Sequence, residues 1–324
     1  MKNFKSFLAP QLEEYVFYRQ NLGYSKRSIR WFLLAFDRYL RQQDADWDKF
    51  KPFFFLELRG KIGKEPRTVN KILSALRSFF QFLVRKGIYP ENPLKDIPPL
   101  PERYFIPFVF SPEQTDQLLE VLCQSLRRDE KYFLLDLGIY MAILLMARCG
   151  MRISEPLRLF RNHHRSDDGT IYIEKTKFRK DRLIPAPKAA MMEIKNYLAV
   201  RKSLSPDDKN PYLLAGRKQE PLRGYQVRDL FHQAVRDIWL SRAKQGIGDV
   251  TFGSPIPHSL RHSFAINTLK GIKDRGESTQ HALPVLAVYM GHRKYQYTDA
   301  YLKVKDAKHL SGLIEFARSQ LDVI

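Results

Sequence analysis

Apolar residues recur at helical spacing through most of the chain. Leu12, Tyr15, Val16, Tyr18 and Leu22 mark a first helix, which Gly23 stops. Ser25 stands where an N-cap is needed for a second helix carrying Ile29, Phe32, Leu33, Phe36 and Leu40. A third segment holds Phe53 to Leu58, and a fourth runs from about Thr68 to Arg85 with Val69, Ile72, Leu73, Leu76, Phe79, Phe80 and Leu83. The period is then lost. Residues 90–107 contain Pro90, Pro93, Pro98, Pro99, Pro101 and Pro107, a composition that cannot continue a helix and predicts a stiff, extended spacer. Ser111-Pro112-Glu113-Gln114 reopens helical structure, with Ser as N-cap, Pro at the first helical position and Gln closing a capping box. Leu134 to Ala147 is the most apolar stretch and predicts a buried helix. At Thr170–Glu174 the period changes to that of a strand; Arg182–Pro185 is its expected partner, and the basic segment Lys175–Lys180 its turn. Helical patterns resume near 188–201, 226–239, 259–269 and 283–290, and a last amphipathic stretch spans Ala307 to Leu321.

The expected fold is therefore mainly α, with a small β-sheet or hairpin in its second half. It divides into a helical domain at 1–89, a proline-rich linker at 90–110 and a second domain at 111–324. Hydrophobic residues make up 44% of the 324 positions and charged residues 28%, so the chain can bury a core and is no disordered tail. Leu134–Ala147 is short for a membrane span and carries Asp136. The first twenty residues hold charges throughout and no long apolar run, so no signal peptide is expected. The two cysteines, Cys123 and Cys149, lie in apolar helical patterns without a second Cys or a His at ligand spacing. That argues against a disulfide framework or zinc site and for a reducing cytoplasm.

Charge alters this picture. The formal net charge is +20 and the sequence pI about 9.8. Such an excess favours a polyanionic partner, because binding releases condensed counterions; the alternative is a basic but uninvolved surface. Lys26, Arg27, Arg30, Arg67, Lys71 and Arg77 interleave with the apolar positions of the first four helices. They form either solvated faces or a module that lies along a nucleic-acid backbone.

Five local patterns carry candidate chemistry. Arg152-Ile-Ser-Glu155 follows the apolar helix and Gly150; a guanidinium fork matches two phosphate oxygens, and Glu155, one turn on, can hold it. The other reading is an ordinary Arg–Glu helix pair. The hairpin around Lys177 offers a lysine for proton delivery, or is a solvated charge run. His258 and Arg261 stand three apart on one helix face just after Pro257, where a helix N-terminus favours anions. His262 is expected to point away from that pair as a supporting residue. Gly291 stops a helix and presents His292; Tyr301 follows nine residues later, with Tyr295 and Tyr297 as neighbours.

Taken singly these patterns are ordinary. Their order, Arg152-x-x-Glu155, Lys177, His258-x-Leu-Arg261-His262, Gly291-His292 and Tyr301, resembles the tyrosine recombinase/integrase family of phage integrases, chromosome-dimer-resolving (Xer-like) recombinases and related transposases. The resemblance covers nearly the whole chain. It implies a SAM-like, core-binding helical domain and a catalytic domain that together clamp DNA in a C shape. It also implies metal- and ATP-independent exchange of DNA strands through a 3′-phosphotyrosine at Tyr301. On that reading Arg152 and Arg261 grip the scissile phosphate, His292 donates to it, His258 takes the phenol proton and Lys177 protonates the leaving 5′-oxygen. Lys175 is the alternative acid, since hairpin register shifts easily. The implied assembly is a tetramer on two double-stranded DNA sites in the cytoplasm, serving integration, excision, transposition or dimer resolution. Ala307–Leu321 is either the helix exchanged between protomers or one packed within its own chain. No cofactor or metal is implied. Two features depart from the family pattern: a longer Gly271–Ala282 segment, and the basic, aromatic residues after His292. The rival functions are a DNA-binding protein of the same fold that does not cut, and a relaxing topoisomerase.

Overall fold

A computed structural model describes residues 3–174 and 181–292. The expected turn with Lys175 and Lys177, Tyr301, and the helix expected at Ala307–Leu321 lie outside the described residues. The chain divides into two compact units, Met1–Arg103 and Tyr104–Ile324.

The first unit is built from α1 (Ala9–Asn21), α2 (Lys26–Gln42), α3 (Pro52–Lys61) and α4 (Pro66–Arg85). The apolar stripes predicted from the sequence form its core: Leu12, Tyr15, Leu33, Phe36, Leu40, Phe55, Leu73, Leu76, Phe79 and Phe80 are all buried. Phe50, Phe55 and Phe80 meet edge to face or tilted at centroid distances of 5.2–5.9 Å, the geometry aromatic quadrupoles prefer. Ser25 does occupy the N-cap of α2, but its hydroxyl makes no capping bond. The proline-rich segment is more than a spacer in this unit. Leu94 and Ile97 are buried in the core, and their carbonyls accept hydrogen bonds from Arg77 at 3.0 and 2.8 Å. Asn70 holds the Leu100 backbone on both sides, at 2.8 and 2.9 Å. The prolines remove backbone donors, and α4 supplies side-chain donors to the carbonyls that remain.

The second unit contains α5 (Pro112–Gln124), α6 (Glu130–Arg148), α7 (Lys188–Leu204), α8 (Gly224–Asp237), α9 (Pro257–Asp274) and α10 (Thr279–Met290). α6 is the buried centre, packed by α5, α7, α8 and α9. The capping box at Ser111 forms with both of its bonds, at 3.0 and 3.1 Å. The expected hairpin appears as β3 (Thr170–Ile173) and β4 (Arg182–Pro185), antiparallel with Ile173 opposite Arg182, and β2 (His164–Arg165) adds a third strand. A second three-stranded sheet was not expected: β1 (Tyr104–Ile106) runs parallel to β6 (Val250–Phe252), which pairs antiparallel with β5 (Gln245–Ile247). The segment Gly271–Ala282 is mostly helix. α9 continues to Asp274 and α10 begins at Thr279, with a short turn between them. Among the described residues no helix is long and apolar enough to cross a membrane.

Candidate functional site

The site assembles where the C-terminal ends of α6 and α10 meet the first turn of α9. α6 closes at Arg148, and Gly150 turns the chain with φ +59°, a conformation that favours glycine. The turn ends with the Glu155 N–H donating to the Arg152 carbonyl at 2.8 Å. α10 closes the same way, with Gly291 left-handed at φ +63°. Helix C-termini leave carbonyls without intrahelical partners. Here three consecutive carbonyls each take one arginine: Tyr289 accepts from Arg182 Nε at 2.9 Å, Met290 from Arg261, and Gly291 from Arg152 at 3.1 Å. Guanidiniums at this end also suit the negative pole of the helix.

Glu155 ties two of these arginines together. It is 5% exposed and accepts from the Arg152 backbone N–H at 2.8 Å and from the Arg152 guanidinium at 2.8 Å. The Arg182 fork reaches both of its oxygens, at 3.1 and 2.9 Å. Burial alone would raise the Glu155 pKa. Hydrogen bonding and charge from Arg182, the Arg152 N–H and Arg261 outweigh it and hold the carboxyl below its ordinary value. Sequence reasoning gave Glu155 one arginine to hold; it holds two. Arg182 had been read only as a strand residue. The available signal was the strand's period of two, which puts Arg182 on the inward face with Ile184.

Arg261 is 1% exposed and spans the two helix ends, donating to Gly150 at 2.6 Å and to Met290. Arg152 is more open, with its side chain 20% exposed. His258 lies at the surface in the first turn of α9. His262 does not point away from it. The two rings meet edge to face with centroids 4.7 Å apart, since four residues on a helix return nearly to the same face.

Crowding by protein, reinforced by the arginines and by each other, keeps these imidazoles neutral. His262 and His292, both largely covered by protein, are pushed down to about 3 and about 4, burial being the main cause for each. His258, whose ring is more open to solvent, is lowered in the same direction by the protein around it and then by Arg261 and Arg152. The structure thus brings Arg152, His258, Arg261 and His292 together from three distant segments, as a cluster of guanidiniums with imidazoles set beside them. Lys177 and Tyr301 are outside the described residues.

The histidines imply a pH dependence. Below their ordinary value of 6.5 the unfolded chain binds protons that the folded chain refuses. The stability is therefore present above pH 6.5 and is lost as pH falls toward 4. His262 and His292 should each cost roughly 2 kcal/mol between pH 7 and pH 5. Urea unfolding at the two pH values measures this, and a His262→Asn variant should show a smaller difference. Equal midpoints for the wild type would rule the account out.

The chain matches the Phage integrase family over residues 109–308, and the N-terminal SAM-like domain of phage integrases over residues 12–87. It is 27% identical over 314 residues to tyrosine recombinase XerA of Pyrococcus furiosus, covering 97% of this chain and 96% of that one. It is 25% identical over 252 residues to tyrosine recombinase XerD of Brucella suis, covering 76% and 74%. Among solved structures, XerH site-specific recombinase bound to difH substrate aligns with a TM-score of 0.65 at 20% identity, over 92% of this chain and 83% of that one. A lambda integrase dimer bound to a COC′ core site aligns with a TM-score of 0.64 at 18% identity, over 92% and 77%. With both halves of the chain matched in order, and Arg152, His258, Arg261 and His292 brought into one site, this protein belongs to the phage integrase family.

Proposed function

We propose that the protein is a site-specific DNA recombinase that cuts and rejoins strands through a 3′-phosphotyrosine. The observation that carries this reading is the convergence of Arg152 and Arg261 on the end of α10, directly before His292. A phosphodiester repels nucleophiles by its charge, so fixed cations must neutralise it. Arg152, at the open side of the site, and Arg261 beneath it grip the non-bridging oxygens, and His292 donates to them. Tyr301 attacks phosphorus and the 5′-oxygen leaves. His258, held neutral, takes the phenol proton, and Lys177 supplies the leaving oxygen's proton. The phosphotyrosine keeps the energy of the broken bond for religation. The arrangement proposed for the chain is a core-binding domain at 1–89 and a catalytic domain at 111–324. They act as a tetramer on paired double-stranded DNA sites in the cytoplasm.

The test uses a randomised library of nicked duplexes, in which the short cleaved fragment diffuses away and traps the covalent product. Wild type should yield a protein–DNA adduct that survives denaturation and is enriched for one site. Tyr301→Phe should yield none. Adducts that persist in Tyr301→Phe would move the nucleophile, and a wild type that forms none would favour a binding protein that does not cut. Relaxation of plasmids lacking the enriched site would favour a topoisomerase.

A further inference from the structure

Arg182 has no part in the chemistry described above, yet its guanidinium is among the most committed in the site. Its side chain is 8% exposed. It opens β4 opposite Ile173, so its backbone belongs to the hairpin sheet. Its fork takes both oxygens of Glu155, at 3.1 and 2.9 Å, while Nε donates to the Tyr289 carbonyl at 2.9 Å. The same side chain lies against Gly291: a methyl group placed there would sit 3.1 Å from Nη1 and 3.3 Å from Cδ and Cζ. The hairpin and α10 are joined a second time, by the Tyr289 hydroxyl donating to the Pro185 carbonyl at 3.2 Å. Glu155, in turn, fixes Arg152 at its backbone and its guanidinium.

These contacts form one chain of directional bonds from β4 through Arg182 to Glu155 and Arg152, with a branch to the carbonyls just before His292. A lysine could keep the charge but could satisfy neither the two carboxylate oxygens in a plane nor the carbonyl at the same time. We propose that Arg182 is the positioning residue of the site: through Glu155 it sets the Arg152 guanidinium, and through the end of α10 it sets His292, so that both meet the phosphate in register with the hairpin. This rests on the reading that Arg152 grips the scissile phosphate.

The test compares wild type, Arg182→Gln, Arg182→Lys, Glu155→Gln and the Arg182→Gln/Glu155→Gln double variant on the duplex enriched by wild type. Single-turnover adduct formation at saturating DNA, DNA affinity and thermal melting are read for each. Arg182→Gln and Arg182→Lys should each slow adduct formation about 10- to 100-fold, the size expected when a supporting contact rather than a reacting group is lost. DNA affinity should stay within about threefold, because the phosphate backbone contacts that dominate it are elsewhere. The double variant should be no slower than the slower single variant, because both changes break the same link. A folded Arg182→Gln or Arg182→Lys protein that cleaves at the wild-type rate overturns the proposal. So does a double variant whose losses multiply, or a rate loss matched by an equal loss of affinity. If Arg182→Gln does not fold, Arg182→Lys decides. If wild type itself forms no adduct, the recombinase reading fails first and this inference with it.

Discussion

Arg261→Ala should lose both stability and chemistry, the largest combined effect in the molecule. The guanidinium is 1% exposed and bridges the Gly150 and Met290 carbonyls, so truncation strands two buried acceptors at once. Each unsatisfied group costs about 1–3 kcal/mol, giving roughly 2–6 kcal/mol in all. The loss should appear as a lower urea midpoint and melting temperature. If Arg261 grips the scissile phosphate as proposed, the rate of adduct formation should fall by a hundredfold or more. Arg261→Lys should recover little of either, since one ammonium does not span both carbonyls. A stable Arg261→Ala protein with ordinary cleavage would remove Arg261 from the site.

Gly150→Ala is the second. Gly150 has φ +59°, where an L side chain is strained by about 1–2 kcal/mol. Its added methyl would also meet the Phe264 ring, with Cε1 2.9 Å away and Cδ1 closer still. Overpacking of this kind costs about 1–3 kcal/mol, so the total is roughly 2–5 kcal/mol. Gly169→Ala is the control: its φ is +66°, but nothing lies within 4 Å of the added methyl, so only the backbone strain should register. Denaturant unfolding of the two variants separates strain from clash. Because the Gly150 carbonyl seats Arg261, the Gly150→Ala protein should also cleave slowly even where it remains folded. Equal stability losses for the two variants would show that Phe264 gives way freely.

The helices were legible because burial on one side writes a period of 3.6 into the sequence, and most positions of the predicted stripes inside the described residues lie in a core, Tyr18, Leu22 and Phe53 being exposed. The capping box at Ser111 was legible for the same reason: its signal is local. The β1–β6 pairing was not. It joins Tyr104 to Val250 through strands of three residues, too short to show alternation, and no local pattern names a partner so distant. The proline-rich stretch carried the residues that tie it down, Leu94 and Ile97, but two apolar positions among prolines form no stripe. Within the site, motif order singled out Arg152, His258, Arg261 and His292, which the fold brings together. Arg182 escaped because its importance lies in what it bonds, not in its spacing from a motif. His262 was misjudged because the spacing of three from His258 to Arg261 defined the face, while the spacing of four from His258 to His262 was overlooked.

The three carbonyls at the end of α10 have an electrostatic consequence. Among the described residues, Arg152 and Arg182 share the carboxylate of Glu155 and Arg261 stands beside them, so positive groups outnumber negative ones there while the histidines stay neutral. The carbonyl dipoles at the end of α10 soften that surplus without cancelling it. A phosphodiester brings one negative charge, and the five-coordinate state reached during attack brings two. On the proposed recombinase reading, an excess of positive charge therefore favours the fleeting species over the resting DNA, which is the condition under which binding energy lowers a barrier instead of deepening a well.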